Sequence, residues 1–440
     1  MRIGGKIKFG CGTCPLRPKR AKLKCIKLMQ SLIKNKKFIP GKDWVWYAPN
    51  TTDAFGEEEI QAVVNALRKG WITPGKLTQE FENKIAKFFG KKFGLFVNSG
   101  SSANLLALEI MEFPKGAEII TPACNFNTTV SPIVQLGLTP VFVDVKAGEY
   151  TIDAGVLEKA LSKKTVAVMA PNLIGNFVDL PKIRNFCKKH KLVFIEDSCD
   201  TIGGLFHGKP SGNWSDITTT SFYASHIITT AGAGGMLMLN DKKLREKARV
   251  FRDWGRGISR HDEKIRSRLA TFKIDGKPYD SAFVFVERGY NFKPTELQAA
   301  FGLKQLDRLD SFVYTRGKNF KTLYKFFKQF EKYFILPESM PDSMTNWLAF
   351  PLTIRESAPF KRNNLVRYLE DRKIQTRPLF SGNILKHPAY KKIKHRKIGN
   401  LKESQLIMEQ SFLIGAHHGL TDKMVDYMLE IFSSFLKRLS

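Results

Sequence analysis

The sequence predicts an α/β fold, with a mostly parallel sheet covered by helices and followed by a smaller α+β region. From about Val45 to Leu309, short apolar runs alternate with helical stretches. Runs that are apolar on both faces are typical of parallel strands buried between two layers of helices. Beyond Leu309 the pattern changes to a long Lys/Phe-rich helix, a strand-like run at 347–354 and further helices.

The individual elements follow from their spacing. An acidic first turn at 57–59 precedes apolar residues at helical spacing, and Gly70 ends this amphipathic helix. The predicted strands are the apolar runs at 118–121, 141–145, 166–169, 192–195, 218–222 and 236–239. Because ligands of such sheets bind at the carboxyl ends of the strands, we expect the functional groups there.

Composition limits the class of protein. The chain has 440 residues, of which 43% are hydrophobic and 12% aromatic, enough for one large core and a smaller lobe. No run approaches the length of a membrane span, and the lysine-rich start lacks the apolar region of a secretory signal. Six cysteines, some within apolar segments such as Cys187 and Cys199, do not form a secreted disulfide framework. We therefore expect a cytoplasmic protein.

The formal net charge is +30, and thirteen Lys/Arg residues precede the first acid, Asp43. A polybasic segment suits a polyanion such as nucleic acid. The remaining excess is scattered as single lysines, which favours a solvated basic surface over a nucleic-acid partner. A polyanion-binding role of the basic N-terminal segment stays open as an alternative.

We predict three parts: a basic N-terminal extension at 1–44, a large domain at 45–310 and a small C-terminal domain at 311–440. The extension contains Cys11, Cys14 and Cys25. Cys11 and Cys14 form a Cys-x₂-Cys pair, and with Cys25 they leave open a zinc or cluster site. Three thiolates weigh against such a site, because structural zinc has four ligands.

Three strand-end segments carry candidate ligand groups. Residues 97–104, VNSGSSAN, place a Gly/Ser turn before a helical run, which suits an anion or a simple helix cap. Residues 194–200, FIEDSCD, end a strand in acids that can hold a protonated ring nitrogen, cap a helix or bind a metal. In residues 122–129, Phe126 can stack on a planar cofactor or fill the core.

A fourth segment, residues 219–235 with the sequence TTSFYASHIITTAGAGG, carries a resemblance to a known family. It resembles the DegT/DnrJ/EryC1/StrS sugar aminotransferases, in which Ser-Phe, a short spacer, a Schiff-base lysine and a Gly-rich strand entry recur. Further blocks match in order at 70–73, 251–256, 289–300 and 377–383. His226 stands at the lysine position, and no lysine lies between Asp216 and Gly235.

The resemblance implies a PLP-dependent transferase fold of type I, aspartate aminotransferase-like, with a mostly parallel seven-stranded sheet. It also implies a homodimer with shared active sites. The implied cofactor is pyridoxal 5′-phosphate or pyridoxamine 5′-phosphate. Gly100, Ser101 and Ser221 would hold its phosphate, and Asn291 would reach it from the partner subunit.

For the cofactor ring, the resemblance implies that Phe126 stacks on the pyridine and that Asp197 pairs with its nitrogen. His226 would be the catalytic base, and Arg377 would lie at the substrate. The alternative is that His226 has only a structural role, as a histidine that is packed in the core with its hydrogen bonds made.

Histidine in place of lysine changes the expected reaction. A lysine amine bonds covalently to pyridoxal phosphate, whereas imidazole cannot. The sequence looks closest to the histidine branch, the 3-dehydratases of CDP- and GDP-linked 4-keto-6-deoxyhexoses, which serve deoxysugar and lipopolysaccharide O-antigen biosynthesis. The implied substrate is such a nucleotide-diphosphate sugar, with L-glutamate as amino donor. The alternatives are a catalytically silent binding homologue and a sugar aminotransferase-like protein.

Two departures from the family pattern bear on the reaction. The CDP-sugar branch holds a [2Fe–2S] cluster on four cysteines, whereas this chain keeps Cys199 and has no later cysteine. We therefore expect no cluster and no metal at this site, and hydrolysis of the unsaturated intermediate to a dideoxy keto sugar and ammonia. Ala233 stands where relatives have glutamate.

Overall fold

The computed structural model describes residues 38–49, 55–257 and 272–439. All of the regular elements below lie within Gly41–Ser440. Cys11, Cys14 and Cys25 lie outside the described residues, so the alternatives for the basic extension stay untested. Among the described residues we find no helix with the length and apolar character needed to span a bilayer.

The central sheet contains eight strands in the order β1-β8-β7-β5-β4-β2-β3-β15. In chain order these strands are β1 Phe93–Val97, β2 Glu118–Pro122, β3 Thr139–Val143, β4 Thr165–Pro171, β5 Val193–Asp197, β7 Ile217–Ser221, β8 Gly235–Leu239 and β15 Arg396–Lys397. Only β8 runs antiparallel to its neighbours β1 and β7. The other pairs, from β7 through to β15, are parallel.

The α/β architecture with a mostly parallel sheet is confirmed, but the sheet has eight strands rather than the expected seven. The eighth, β15, pairs only two residues, Arg396 with Val141 and Lys397 with Phe142. Arg396 is fixed there because its guanidinium donates to both carboxylate oxygens of Glu118, each over 2.8 Å. So short a polar pairing has no hydrophobic period by which sequence could predict it.

Helices cover this sheet and extend beyond it. Their bounds are α1 Glu57–Arg68, α2 Lys76–Phe88, α3 Gly100–Glu109, α4 Asn127–Gln135, α5 Leu157–Ala160, α6 Leu180–His190, α7 Lys242–Arg252, α8 Glu296–Asp307, α9 Leu309–Phe327, α10 Arg362–Glu370, α11 Lys402–Gln410 and α12 Asp422–Leu436. The predicted first helix is α1, whose Glu59 side chain accepts a 2.7 Å hydrogen bond from Gly56 N–H.

Smaller sheets complete the described structure. The remaining strands are β6 Leu205–Phe206, β9 Phe272–Ile274, β10 Lys277–Tyr279, β11 Phe334–Ile335, β12 Ser343–Met344, β13 Phe350–Ile354, β14 Arg377–Pro378 and β16 Ser411–Ile414. A four-stranded sheet forms in the order β11-β13-β16-β14, packed among α9 to α12. The division of 45–440 into a large and a small domain at 310 stays a prediction.

The core explains why the strands read as apolar on both faces. One face of the sheet packs residues such as Leu95, Ile119 and Ile195 against α3 and α7. The other packs Ile120, Val168 and Phe194 against α6. Because β1, β7, β5, β4 and β2 all point the same way, their carboxyl ends meet at one edge of the sheet. That edge holds the functional segments predicted from sequence.

Candidate active site

A cavity of about 360 Å³ opens at the carboxyl edge of the sheet. Six of the eight predicted site residues line it: Gly100, Ser101, Phe126, Asp197, Ser221 and His226. They come from four strand ends that are separate in sequence. The parallel sheet therefore brings together the segments that were selected one by one.

The first turn of α3 forms one wall of the cavity. Ser99 caps this helix, since its hydroxyl accepts a 3.1 Å hydrogen bond from Ser102 N–H. An anion site in the same turn stays a prediction. A side chain at Gly100 would place its Cβ 2.6 Å from Ser221 Cβ. Glycine is thus required for α3 to approach Ser221 closely. The N–H groups of a first helical turn, together with serine hydroxyls, suit a phosphate.

Asp197 lies at the end of β5 and is almost fully buried. Its Oδ2 accepts hydrogen bonds from Asn104 Nδ2 over 2.8 Å and Thr129 Oγ1 over 2.7 Å, and its Oδ1 accepts from Cys199 N–H over 3.2 Å. All three donors are neutral, and Asp197 has no ion pair within the described residues. A buried carboxylate without a cation suits a ligand that brings a positive charge.

Phe126 precedes α4 at the cavity wall. Its side chain is 50% exposed, so it does not fill the core. Its ring meets Phe380 edge-on, with centroids 5.8 Å apart and an interplanar angle of 78°. Phe380 also lines the cavity, which gives this wall the aromatic surface that a planar ring requires.

His226 is held in the loop between β7 and β8. Its N–H donates to Tyr223 C=O over 3.0 Å, and its side chain is 16% exposed. Nδ1 lies 3.3 Å from Asp200 Oδ1. The contact lacks hydrogen-bond geometry, and buried Nδ1 has no other partner in the described part of the chain. His226 is therefore not a purely structural histidine whose hydrogen bonds are all made.

Two predicted site residues do not line this cavity. Asn291 is exposed, and its backbone bridges to Asp253 near the chain's own α7. Arg377 is exposed in β14, where its guanidinium lies 5.2 Å from the ring centroid of Tyr47, a residue of the cavity wall. Arg377 is thus near the cavity, while a role for Asn291 requires a second subunit.

Sequence reasoning missed Asn104 and Asp200 as functional residues. Both lie within segments that it selected, 97–104 and 194–200, and both line the cavity. The sequence did offer a signal for each residue. Asn104 is a polar residue directly before the apolar run of its helix, and Asp200 is a further acid three residues after Asp197. The departure Ala233 also lies here, and its C=O accepts a 2.9 Å hydrogen bond from Gln298 Nε2.

The residues present fit pyridoxal phosphate. Asp197 supplies a negative charge without a cation, Gly100 leaves room beside Ser221, and Phe126 offers an aromatic face. Cys199 does not supply a thiolate, because burial and the neighbouring Asp197 raise the pKa of its thiol well above the usual range. Within the described residues, no group of three or more His, Cys, Asp or Glu side chains is arranged to bind a metal.

Comparison with known proteins identifies the family of this chain. Residues 53–433 match the DegT/DnrJ/EryC1/StrS aminotransferase family. The lipopolysaccharide biosynthesis protein RfbH of Salmonella typhimurium (strain LT2) is 38% identical over 413 residues, covering 91% of this chain and 93% of RfbH. The GDP-4-keto-6-deoxy-D-mannose 3-dehydratase of Yersinia pseudotuberculosis is 31% identical over 376 residues, covering 84% of this chain and 94% of that protein.

A solved structure extends the likeness to three dimensions. A GDP-4-keto-6-deoxymannose-3-dehydratase with a trapped PLP-glutamate geminal diamine matches with a TM-score of 0.77 and 28% identity. The match covers 88% of this chain and 99% of that one, which confirms the predicted aspartate aminotransferase-like fold. The chain belongs to the DegT/DnrJ/EryC1/StrS aminotransferase family.

Proposed function

We propose that this protein is a PLP/PMP-dependent lyase that removes the C3 hydroxyl from a nucleotide-linked 4-keto-6-deoxyhexose. The observation that carries the proposal is the cavity itself: His226 and the buried acid Asp197 both line it, and no lysine is among its described lining residues. A cavity of this kind binds the cofactor without bonding to it. The relatives named 3-dehydratases support the same reaction.

The cofactor is held by groups from the strand ends. Gly100, Ser101 and Ser221 bind the phosphate, Phe126 stacks on the ring, and Asp197 accepts the hydrogen bond of the protonated ring nitrogen. Asn104 and Thr129 orient the Asp197 carboxylate for this task. Asn291 completes the phosphate site of the partner subunit in a homodimer.

Bound as pyridoxamine phosphate, the cofactor supplies an amine for the 4-keto group and a ring that delocalises negative charge. His226 acts at Nε2, which accepts no hydrogen bond from the described residues and removes a proton as general base. An imidazole can take up and release a proton near neutral pH, which suits general acid–base catalysis. The same nitrogen then returns a proton to the departing C3 hydroxyl.

The substrate is a nucleotide diphosphate sugar, and L-glutamate supplies the amino group. Arg377 binds the substrate at the edge of the cavity. The name of RfbH and the glutamate adduct in the solved dehydratase support a role in lipopolysaccharide O-antigen biosynthesis with glutamate as donor. Without a cluster at Cys199, the unsaturated product hydrolyses to the dideoxy keto sugar and ammonia. The protein acts in the cytoplasm.

The test incubates purified protein and pyridoxal phosphate with L-glutamate and either CDP- or GDP-linked 4-keto-6-deoxyhexose. We expect mass spectrometry to show loss of the 3-hydroxyl for one of them, and loss of that activity in His226→Asn. Cofactor absorbance without turnover of either sugar would instead indicate a silent binding protein, and a 4-amino sugar product would indicate an aminotransferase.

A further inference from the structure

We infer that Asp200 is a positioning residue that holds His226 in one tautomer, with the proton on Nδ1 and Nε2 left as the basic nitrogen. The inference rests on the proposed function in so far as His226 is the base there. Asp200 is separated from His226 by the whole of β7, and only the fold brings the two together. Asp200 is not among the residues that hold the cofactor in the proposed function.

The contact between the two side chains bears on which nitrogen of the ring carries the proton. Asp200 Oδ1 lies 3.3 Å from His226 Nδ1, and Asp200 is only 6% exposed. A carboxylate only accepts hydrogen bonds. It would repel a lone pair on Nδ1, whereas it would attract an N–H group at that atom. Proton placement on one ring nitrogen of histidine leaves the other as base.

The carboxylate is itself held in place by the backbone after β4. Its Oδ2 accepts a 2.9 Å hydrogen bond from Ile174 N–H. Ile174 is fully buried in a left-handed conformation with φ of 59°, which is costly for a β-branched residue. Leu348 N–H donates to Ile174 C=O over 2.8 Å and secures this backbone from the other side. Asp200 is thus oriented by a rigid segment.

A buried positive charge balances Asp200. Arg316, from α9, is only 1% exposed and has no ion pair within the described residues. Burial lowers its pKa to about 9, and Asp200 is the charge that opposes this effect. The Arg316 guanidinium also donates to Leu348 C=O over 2.6 Å, and Leu348 lines the cavity. The charge of Asp200 therefore acts on a buried cation, Arg316, as well as on the imidazole that it contacts.

The other groups near His226 do not replace Asp200. Tyr223 meets the imidazole edge-on with ring centroids 6.3 Å apart, and its side chain is exposed. The Asp197 carboxylate is occupied by Asn104, Thr129 and the Cys199 N–H. Asp200 is the carboxylate in contact with the imidazole of His226 among the described residues.

The test compares wild type with Asp200→Asn, which keeps an amide oxygen for Ile174 N–H and turns an NH₂ group toward Nδ1. The first readout is the ¹⁵N shifts of His226 in cofactor-free protein at about pH 8.5, roughly two units above the ordinary histidine pKa. His226→Gln assigns the signal among the eight histidines. We expect the Nδ1–H tautomer in wild type and the Nε2–H tautomer in Asp200→Asn.

The second readout is turnover of the sugar substrate. We expect kcat to fall by at least about 100-fold in Asp200→Asn with KM changed less than about threefold, and partial recovery in Asp200→Glu. Asp216→Asn is the matched control: it breaks the 2.7 Å ion pair with Arg184 outside the cavity and should leave kcat and the tautomer unchanged. Asp200→Ser replaces Asp200→Asn if the latter does not fold.

The inference is overturned if His226 keeps the same tautomer in Asp200→Asn, or if kcat stays within about twofold of wild type. A wild-type protein that turns over neither sugar would refute the proposed function. The tautomer comparison, made without cofactor, would still decide the role of Asp200.

Discussion

The side chain of Asn104 links Asp197 to Thr219 through two hydrogen bonds. Its Nδ2 donates to Asp197 Oδ2 over 2.8 Å, while its Oδ1 accepts from Thr219 Oγ1 over 2.6 Å. Because the Asp197 carboxylate can only accept, Asn104 turns its amide nitrogen toward the acid and its oxygen toward the Thr219 hydroxyl. A buried carboxylate is thereby held at the cavity by a neutral donor that leaves its charge for a ligand.

Replacing Asn104 with leucine removes both of these hydrogen bonds and a third one, from Nδ2 to Thr128 C=O over 3.2 Å. It leaves Asp197 with one donor fewer and the Thr219 hydroxyl without its acceptor, so the free energy of unfolding should fall by about 3 kcal/mol. Urea denaturation measures this. Asn240→Leu is the control, since the exposed Asn240 side chain accepts one hydrogen bond among the described residues, from Lys92 N–H, and its effect should stay below about 1 kcal/mol. Equal losses in both variants would contradict the prediction.

Gly100→Ala tests the close approach of α3 to Ser221. The new Cβ would lie 2.6 Å from Ser221 Cβ, so one of the two must move. We expect affinity for pyridoxal phosphate to fall by about tenfold or more, a loss of at least about 1.4 kcal/mol, measured by absorbance titration.

Gly317→Ala is the matched control for Gly100→Ala. Gly317 lies within α9, and an added Cβ there meets nothing within 4 Å. Cofactor affinity should be unchanged and the free energy of unfolding should rise by about 0.5–1 kcal/mol. Undiminished cofactor affinity in Gly100→Ala would show that the phosphate binds elsewhere.

His226→Lys restores a primary amine to the cavity. We expect this variant to bond covalently to pyridoxal phosphate, because a lysine amine condenses with the aldehyde and imidazole does not. Borohydride treatment followed by intact-mass analysis should then show the cofactor attached to the variant and absent from wild type. Labelling of wild type at another lysine would contradict the proposed site.

Arg377→Met tests substrate binding at the cavity edge. Removing a charge-assisted contact with a diphosphate costs about 1.5–3 kcal/mol, so KM for the nucleotide sugar should rise by about 10- to 150-fold with kcat nearly unchanged. Arg355→Met is the control, because exposed Arg355 donates to Glu331 C=O away from the cavity. A loss of kcat at unchanged KM would assign Arg377 a different role.

Acid should destabilise the fold through His418, which stacks on Phe312 with ring centroids 3.8 Å apart. Burial, followed by the charge of Arg316, lowers the pKa of His418 to about 2, below the 6.5 of an exposed histidine. Between these values the unfolded state binds more protons, so stability falls as pH drops below about 6.5. At pH 5 the loss from one such histidine is about 2 kcal/mol.

His418→Gln tests this pH dependence. Glutamine keeps an acceptor for the Arg316 guanidinium but does not titrate, so the variant should lose less stability than wild type between pH 7.5 and about pH 5. Urea denaturation at both pH values measures the difference. His207→Gln, at an exposed position, should behave as wild type, and the same acid loss in all three proteins would contradict the prediction.

Local patterns predicted the strand ends well. The apolar runs that gave β2, β4, β5, β7 and β8 have strong hydrophobic signals, and each predicted strand differs from the observed one by at most two residues at either end. The helix after residue 97 begins earlier than its apolar run, at Gly100, because Ser99 caps it there. Hydrogen bonding at a cap has no apolar period, so that boundary was missed.

The sequence alone determined that this chain builds a mostly parallel α/β sheet with Gly/Ser-rich and acidic strand ends, and it predicted that His226 occupies the lysine position. These are local properties of short segments. Only the tertiary structure decided which side chains meet: Asn104 with Asp197, 93 residues apart, and Asp200 with His226. The strand order β1-β8-β7-β5-β4 sets those meetings, because long-range pairing rather than sequence spacing fixes which strand ends lie side by side.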